Sequence, residues 1–331
     1  MLVRYIFRRL LLAIPVLLVI SFSVFMIIHL PPGSFLDNLI EQMEREGMRD
    51  ETLIQSLREQ YHFDRPLVVR YGYWLRDFLR GNLGRSFQDG VPVIEILRQR
   101  VPVSIAISLT TILFTWAIAL PFGIFAAVRK NTFWDYFLTF VGLVAMATPA
   151  FVIALIFQVA MKNWWPGYDP TGLISAHLLD RPWYDGERIV DLLKHLSVPV
   201  LILGTGGTAG MIRIMRANVV DEMRKQYVLC ARARGLHPAL VVLRYPVRVA
   251  LNPFMSNIGL ILPQIISGSV IISIVLALPT LGPRLLQAVM SQDTYLAASC
   301  VFIECILAVV GVLISDILLS LVDPRIRFDA K

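Results

Sequence analysis

Residues 224–253 read RKQYVLCARARGLHPALVVLRYPVRVALNP, and the character of the whole chain turns on them. Arg224, Lys225, Arg232, Arg234, Arg244 and Arg248 stand there without one acidic residue, between two long apolar runs. A membrane protein keeps such a loop on the cytoplasmic side. Tyr227, Ala231 and Gly235 recur every four residues, the spacing that puts side chains on one helix face. Gly235 and Pro238 then break the helix soon after Arg234. One ring and two positions with little or no side chain form a face that another backbone can approach closely. Arg232 and Arg234 stand off that face. From charge alone the stretch reads as a solvated basic loop, while the small-residue face argues for a docking helix.

Working outward, composition agrees with a polytopic membrane protein. Of 331 residues, 56% are hydrophobic and 17% are charged, and mean hydropathy is +0.65. Soluble domains carry about a quarter charged residues. Six apolar runs follow from the sequence: 10–30, 103–128, 136–161, 196–215, 254–278 and 297–321. The first is too long for the core of a signal peptide, about 7–15 residues, so it reads as an uncleaved span. Pro121 and Pro149 lie within spans, where neighbouring groups can satisfy the freed carbonyls. Gly206 and Gly210 form a G-x-x-x-G pair, a device for close helix packing. The expected organisation is an anchor and first span at 1–30, an external domain at 31–102, a five-helix core at 103–322 carrying a cytoplasmic loop at 217–253, and a cytoplasmic tail at 323–331. Tyr71, Tyr73, Trp74 and Phe78 in the external segment, with Tyr61 and Phe63, read as packing residues rather than a sugar-stacking platform. Trp164, Trp165 and Trp183 suit the membrane interface.

Charge tests this arrangement. With both ends inside, the cytoplasmic segments hold 16 Lys and Arg against 5 acids, net +11, and the external segments hold 15 against 17, net −2. The bias has the sign that the positive-inside rule requires. The chain's net charge of +7 is therefore a topological signal, and nucleic acid drops out as a partner. Cys230, Cys300 and Cys305 give no disulfide framework, and the five His residues are too scattered to suggest a metal site. No cofactor is expected. There is no G-x-x-x-x-G-K-[ST] loop for ATP, no G-x-S-x-G and no H-E-x-x-H, so the chain does not read as an enzyme.

A path for solute has two candidate parts. Asn257, Gln264 and Ser267 share a face of the fifth span, beside Pro263. They either line a path or hydrogen-bond between helices. Glu304, about 10 Å into the sixth span, is a functional candidate or the partner of a cation elsewhere. Asp316, near the cytoplasmic end, reads as structural.

The run Tyr227 to Leu236, YVLCARARGL, with Arg248-Val249-Ala250-Leu251-Asn252-Pro253 after it, resembles the cytoplasmic "EAA" loop of ABC importer permeases. It is most similar to the dipeptide/oligopeptide/nickel family, of pattern Y-V-x-T-A-R-A-K-G-L and then R-x-A-L-x-P. Leu229 and Cys230 stand where the loop's name implies Glu and Ala. Leu30-Pro31-Pro32-Gly33, YHFDRPLVVRYGYWL at 61–75, GNLGRSF at 81–87, Leu281-Gly282-Pro283 with Gln292-Asp293, and Asp323-Pro324-Arg325-Ile326-Arg327-Phe328 resemble further family segments. The resemblance spans almost the whole chain. It implies an all-α type I permease fold with six transmembrane helices and a small extracytoplasmic domain, in a bacterial or archaeal cytoplasmic membrane. It also implies a sister permease, two ABC ATPase subunits and an external solute-binding protein. Tyr227, Ala231, Arg232, Ala233 and Gly235 would be the ATPase-coupling residues. The cargo implied is short peptides, with oligosaccharides as the alternative and nickel least expected. A secondary transporter is the rival from another class, although the chain shows no repeated halves.

Overall fold

The computed structural model describes residues 2–30, 40–41, 43–45, 51–52, 54–55, 65–164, 169–259 and 269–322. Regular structure among them is helical, with an isolated antiparallel bridge between Arg85 and Pro92. In chain order the helices are α1 (Leu2–Ile28), α2 (Leu67–Leu79), α3 (Val93–Val128), α4 (Phe133–Ala147) and α5 (Ala150–Trp164). Then come α6 (Gly186–Glu222), α7 (Gln226–Ala233), α8 (Pro238–Arg244), α9 (Pro246–Ala250), α10 (Val270–Val275), α11 (Leu281–Met290) and α12 (Thr294–Val322). Residues 252–259 are also helical. Among the described residues, four helices are long and apolar enough to cross a membrane: 6–28, 93–128, 186–222 and 294–321. The pair α4–α5 qualifies as a fifth if it is counted as one bent span. The chain is an all-α membrane protein. The centre of the expected fifth span, the external aromatics Tyr61 and Phe63, and the tail from 323 onward lie outside the described residues.

Two expectations change. The third span is not straight: α4 and α5 meet at 96°. Thr148, the residue before Pro149, is extended at φ −84° and ψ 123° because the proline ring clashes with a helical predecessor. The amides of Val152 and Ile153 then turn back to the Pro149 carbonyl and start α5. Pro121, by contrast, stays within the unbroken α3, held by packing on both sides: Ala119 is fully buried, and a Cβ on Gly123 would lie 2.5 Å from the Met215 Cβ. The second change concerns length. α3 and α6 begin ten residues before the apolar runs do, and at 36 and 37 residues each is about 54 Å long. That exceeds the roughly 30 Å hydrocarbon layer, so each projects beyond it.

The chain divides into two compact units. One comprises residues 11–103 and 280–307. Its aromatic centre is Trp74 of α2, packed among Phe25, Phe78 and Phe302, with Tyr71 at its edge. The Tyr71 hydroxyl lies 2.8 Å from the Ser21 hydroxyl of α1. These aromatics are core, as their size suggests, and α2 buries them against α1 and α12. A second knot is polar. Asp293, fully buried, accepts the Ser86 hydroxyl at 2.6 Å and caps α12 by accepting the Leu296 amide at 3.2 Å. Arg284 pairs with Asp89 in the same loop.

The other unit comprises residues 1–10, 104–279 and 308–331. Here α3, α4 and α6 pack closely at small residues. A Cβ on Gly204 would come 2.6 Å from the Phe114 ring, and one on Gly142 would meet Ala209 at 3.6 Å. The G-x-x-x-G pair is not the contact: among the described residues nothing lies within 4 Å of a Cβ placed on Gly206 or Gly210. Helix period explains this, since Gly204 and Thr208 point inward and Gly206 points out. A true glycine crossing joins residues 252–259 to α12, where a Cβ on Gly259 would strike Val312 Cα at 2.8 Å. Asp316 pairs with Arg9 at 3.0 Å, which gives it a structural role. His195, buried near the start of α6, meets the carbonyls of Asp191 and Asp169 at 2.9 and 3.0 Å.

Candidate coupling surface

The basic stretch folds as three short helices in series. Lys225 is extended at φ −71° and ψ 147°, and its carbonyl accepts the amides of Val228 and Leu229, which opens α7. The helix ends two residues before Gly235, which sits at φ +74° and returns its amide to the Arg232 carbonyl. That left-handed stop favours glycine. Pro238 and Pro246 occupy the first turns of α8 and α9, where the absent N–H costs nothing.

Packing decides which face of α7 is free. Val228 and Ala231 (4% exposed) pack with Val241 of α8, and Leu236 and Tyr245 cover the rim. Tyr227 (41%), Leu229 (51%), Cys230, Arg232 and Ala233 are exposed. The expected face of Tyr227, Ala231 and Gly235 is therefore corrected. Ala231 is turned inward, and Gly235 lies beyond the helix in a conformation that ends the four-residue repeat. The pairing of Val228 with Ala231, three apart and matched by Val241, was the available signal for the buried side, and charge drew attention away from it.

This assembly is joined to α6. Val242, Val247 and Ala250 share a buried cluster with Met215 and Val219. The Tyr227 hydroxyl donates to the Glu222 carboxylate at the last residue of α6. Burial, then the hydrogen bond to Glu222 and that residue's charge, push the Tyr227 phenol up to about 12. Six residues before Glu222, Arg216 reaches across to Asp135 in the first turn of α4. The sequence reading did not single out Glu222, Arg216 or Asp135.

The proposed path residues are only partly in view. Gln264 and Ser267 lie outside the described residues. Asn257 is half-buried and points its amide at the Met211 sulfur, 3.7 Å away, an interhelical contact. Glu304 is 9% exposed, ten residues into α12. Among the described residues, no group of three or more His, Cys, Asp and Glu could hold a metal ion.

Comparison with known proteins bears on this architecture directly. Residues 119–328 match the model of the binding-protein-dependent transport system inner membrane component. The chain is 32% identical over 330 residues to the oligopeptide transport system permease protein AppB of Bacillus subtilis (strain 168), covering 98% of this chain and 99% of that one. It is 28% identical to the dipeptide transport system permease protein DppB of Alkalihalophilus pseudofirmus, with 98% and 99% covered. It is also 28% identical to the inner membrane ABC transporter permease protein YejB of Escherichia coli O157:H7, with 99% of each covered. The family match takes in α4 to α12 together with the end of α3, and so contains the basic helices, α6 that they pack on, and the Arg216–Asp135 contact. A multi-pass helical chain carrying this loop on its longest helix belongs to the family of binding-protein-dependent transport system inner membrane components.

Proposed function

We propose that this chain is the transmembrane permease subunit of an ATP-driven importer of short peptides. The observation that carries the peptide reading is end-to-end similarity to permeases named for oligopeptides and dipeptides. The chain works with a sister permease, two ABC ATPases on the cytoplasmic side and an extracytoplasmic solute-binding protein. It crosses the membrane six times with both termini inside, which the charge bias supports. The segment between α1 and α3 is external and helps to seat the loaded binding protein.

In this reading α7 is the part gripped by the ATPase. Its exposed side offers Leu229, Cys230 and Ala233 with Tyr227 and Arg232 at the edges, while Val228 and Ala231 hold it to α8. Gly235 acts as the stop that sets the exit of the chain. ATP binding closes the two ATPases, carries both docking helices inward and turns the spans from inward-open to outward-open. Asn257, Gln264, Ser267 and Glu304 are assigned to the wall of the transient path.

The test is uptake of labelled short peptides into proteoliposomes that hold the complete complex and its binding protein. Import should require ATP and stop with vanadate. Import that persists without ATP and collapses with an uncoupler would overturn the reading in favour of a secondary transporter.

A further inference from the structure

The contact between α6 and α4 combines two unlike parts. Towards the middle of the helices it is small and apolar, with Gly142 against Ala209. Surfaces of that kind fit closely but resist sliding weakly, since they carry no directional bond. Near the ends that lead into the basic loop the contact is ionic. Arg216 Nε and Nη2 engage both oxygens of Asp135, the second at 2.6 Å. Asp135 is 1% exposed, while the Arg216 side chain is half-buried at 28%. A guanidinium fork on a carboxylate is directional as well as strong, and losing one partner strands the other charge.

Asp135 has further duties. It accepts the Asn131 amide at 2.9 Å, where Asn131 stands at φ 61°, so the same carboxylate also braces the turn between α3 and α4. On the other side, Arg216 lies about 9 Å along α6 from Glu222, which holds the Tyr227 hydroxyl. Downstream, α4 leads through the 96° bend into α5, whose Gln158 donates to the Val275 carbonyl of α10 at 3.3 Å.

We propose that the Arg216–Asp135 pair is the pin that makes α4 follow α6 when the basic helices are displaced, so that both are positioning residues for transport. The inference rests on the importer reading above. Motion entering at α7 passes to α6 through Glu222 and the Met215–Val219 cluster. Without the pin, α6 slips along the smooth Gly142–Ala209 contact and α5 stays behind. The pair is then a discrete contact through which coupling between distant sites can be carried.

The test uses the complete complex in proteoliposomes, with equal amounts of assembled wild type, Asp135→Asn and Arg216→Lys. Asp135→Asn keeps the shape and removes the charge, and Arg216→Lys keeps the charge and removes the fork. The quantity read is ATP hydrolysed per peptide imported. It should rise about tenfold in Asp135→Asn, which corresponds to ~1.4 kcal/mol of lost coupling, and by a smaller factor in Arg216→Lys. A ratio equal to wild type in both variants, whether the two rates hold or fall together, makes the pair a mere stabiliser and overturns the proposal. A second readout is independent of cargo: spin labels at Phe133 and Arg224, both exposed. Their separation should be the same with and without ATP in wild type and should change with ATP in Asp135→Asn. Equal behaviour in both proteins also overturns it. If the wild-type complex hydrolyses ATP and imports no peptide, the peptide reading fails, and the label distances still decide the pin.

Discussion

The same change, glycine to alanine, should have opposite effects at two points of the same helical core. At Gly123 in α3 the new methyl would lie 2.5 Å from Met215 Cβ, 2.9 Å from its Cγ and 3.1 Å from the Ile212 carbonyl. Met215 is fully buried, so its first side-chain atoms cannot swing away. Overpacking of this kind costs about 1–3 kcal/mol. Alanine recovers about 1 kcal/mol of helix propensity over glycine, which leaves Gly123→Ala neutral to about 2 kcal/mol destabilised. At Gly206 in α6 no atom of the described residues lies within 4 Å of the new methyl, and only the propensity gain of about 1 kcal/mol remains. The two variants should therefore differ by about 1–3 kcal/mol. At about 2–4 °C per kcal/mol for a unit of this size, that separates their apparent melting temperatures by roughly 2–12 °C. The assay is thermal unfolding of the purified permease in one detergent at one scan rate. If Gly123→Ala melts at or above Gly206→Ala, α3 and α6 do not approach as closely at Gly123 and Met215 as the geometry requires.

Other outcomes follow from the same geometry. Cys230 is the one cysteine in the exposed class, so in cells that make the permease without its ATPases an impermeant maleimide should label it after permeabilisation and spare it in intact cells; labelling of intact cells would refute a cytoplasmic basic loop. Ala231→Trp should destabilise the packing of α7 on α8 and lower the melting temperature of the isolated permease, whereas Leu229→Asp should leave it unchanged and reduce co-purification of the ATPase. Wild-type ATPase recovery with Leu229→Asp would remove the exposed side of α7 as the docking face. Asp293→Ala should cost about 1.5–3 kcal/mol, because the Ser86 hydroxyl and the α12 cap lose a charged acceptor. A melting temperature within a degree of wild type would show that the knot adds nothing.

The membrane class and the basic loop were legible without coordinates because each rests on composition or charge along a contiguous stretch; of the six expected apolar spans, the described residues hold four, or five with the bent pair counted as one. The end of α7 was also legible, since Gly235 and Pro238 mark it by local backbone chemistry. Its free face was not. Tyr227, Ala231 and Gly235 repeat every four residues, but only the approach of Val241, ten residues beyond Ala231, turned that alanine inward. Pro121 and Pro149 look alike in sequence, yet α3 runs unbroken through Pro121 while the helix is interrupted before Pro149 and the two halves meet at 96°. Likewise GNLGRSF and Gln292-Asp293 stood out as separate family-like segments, yet their meeting through Ser86 and Asp293 spans 207 positions. Arg216 and Asp135, 81 positions apart, carried no local signal at all. Short-range physics reads from the chain because torsions, hydropathy and charge act between near neighbours. Long-range pairing depends on how whole helices pack, and no stretch of sequence contains that by itself.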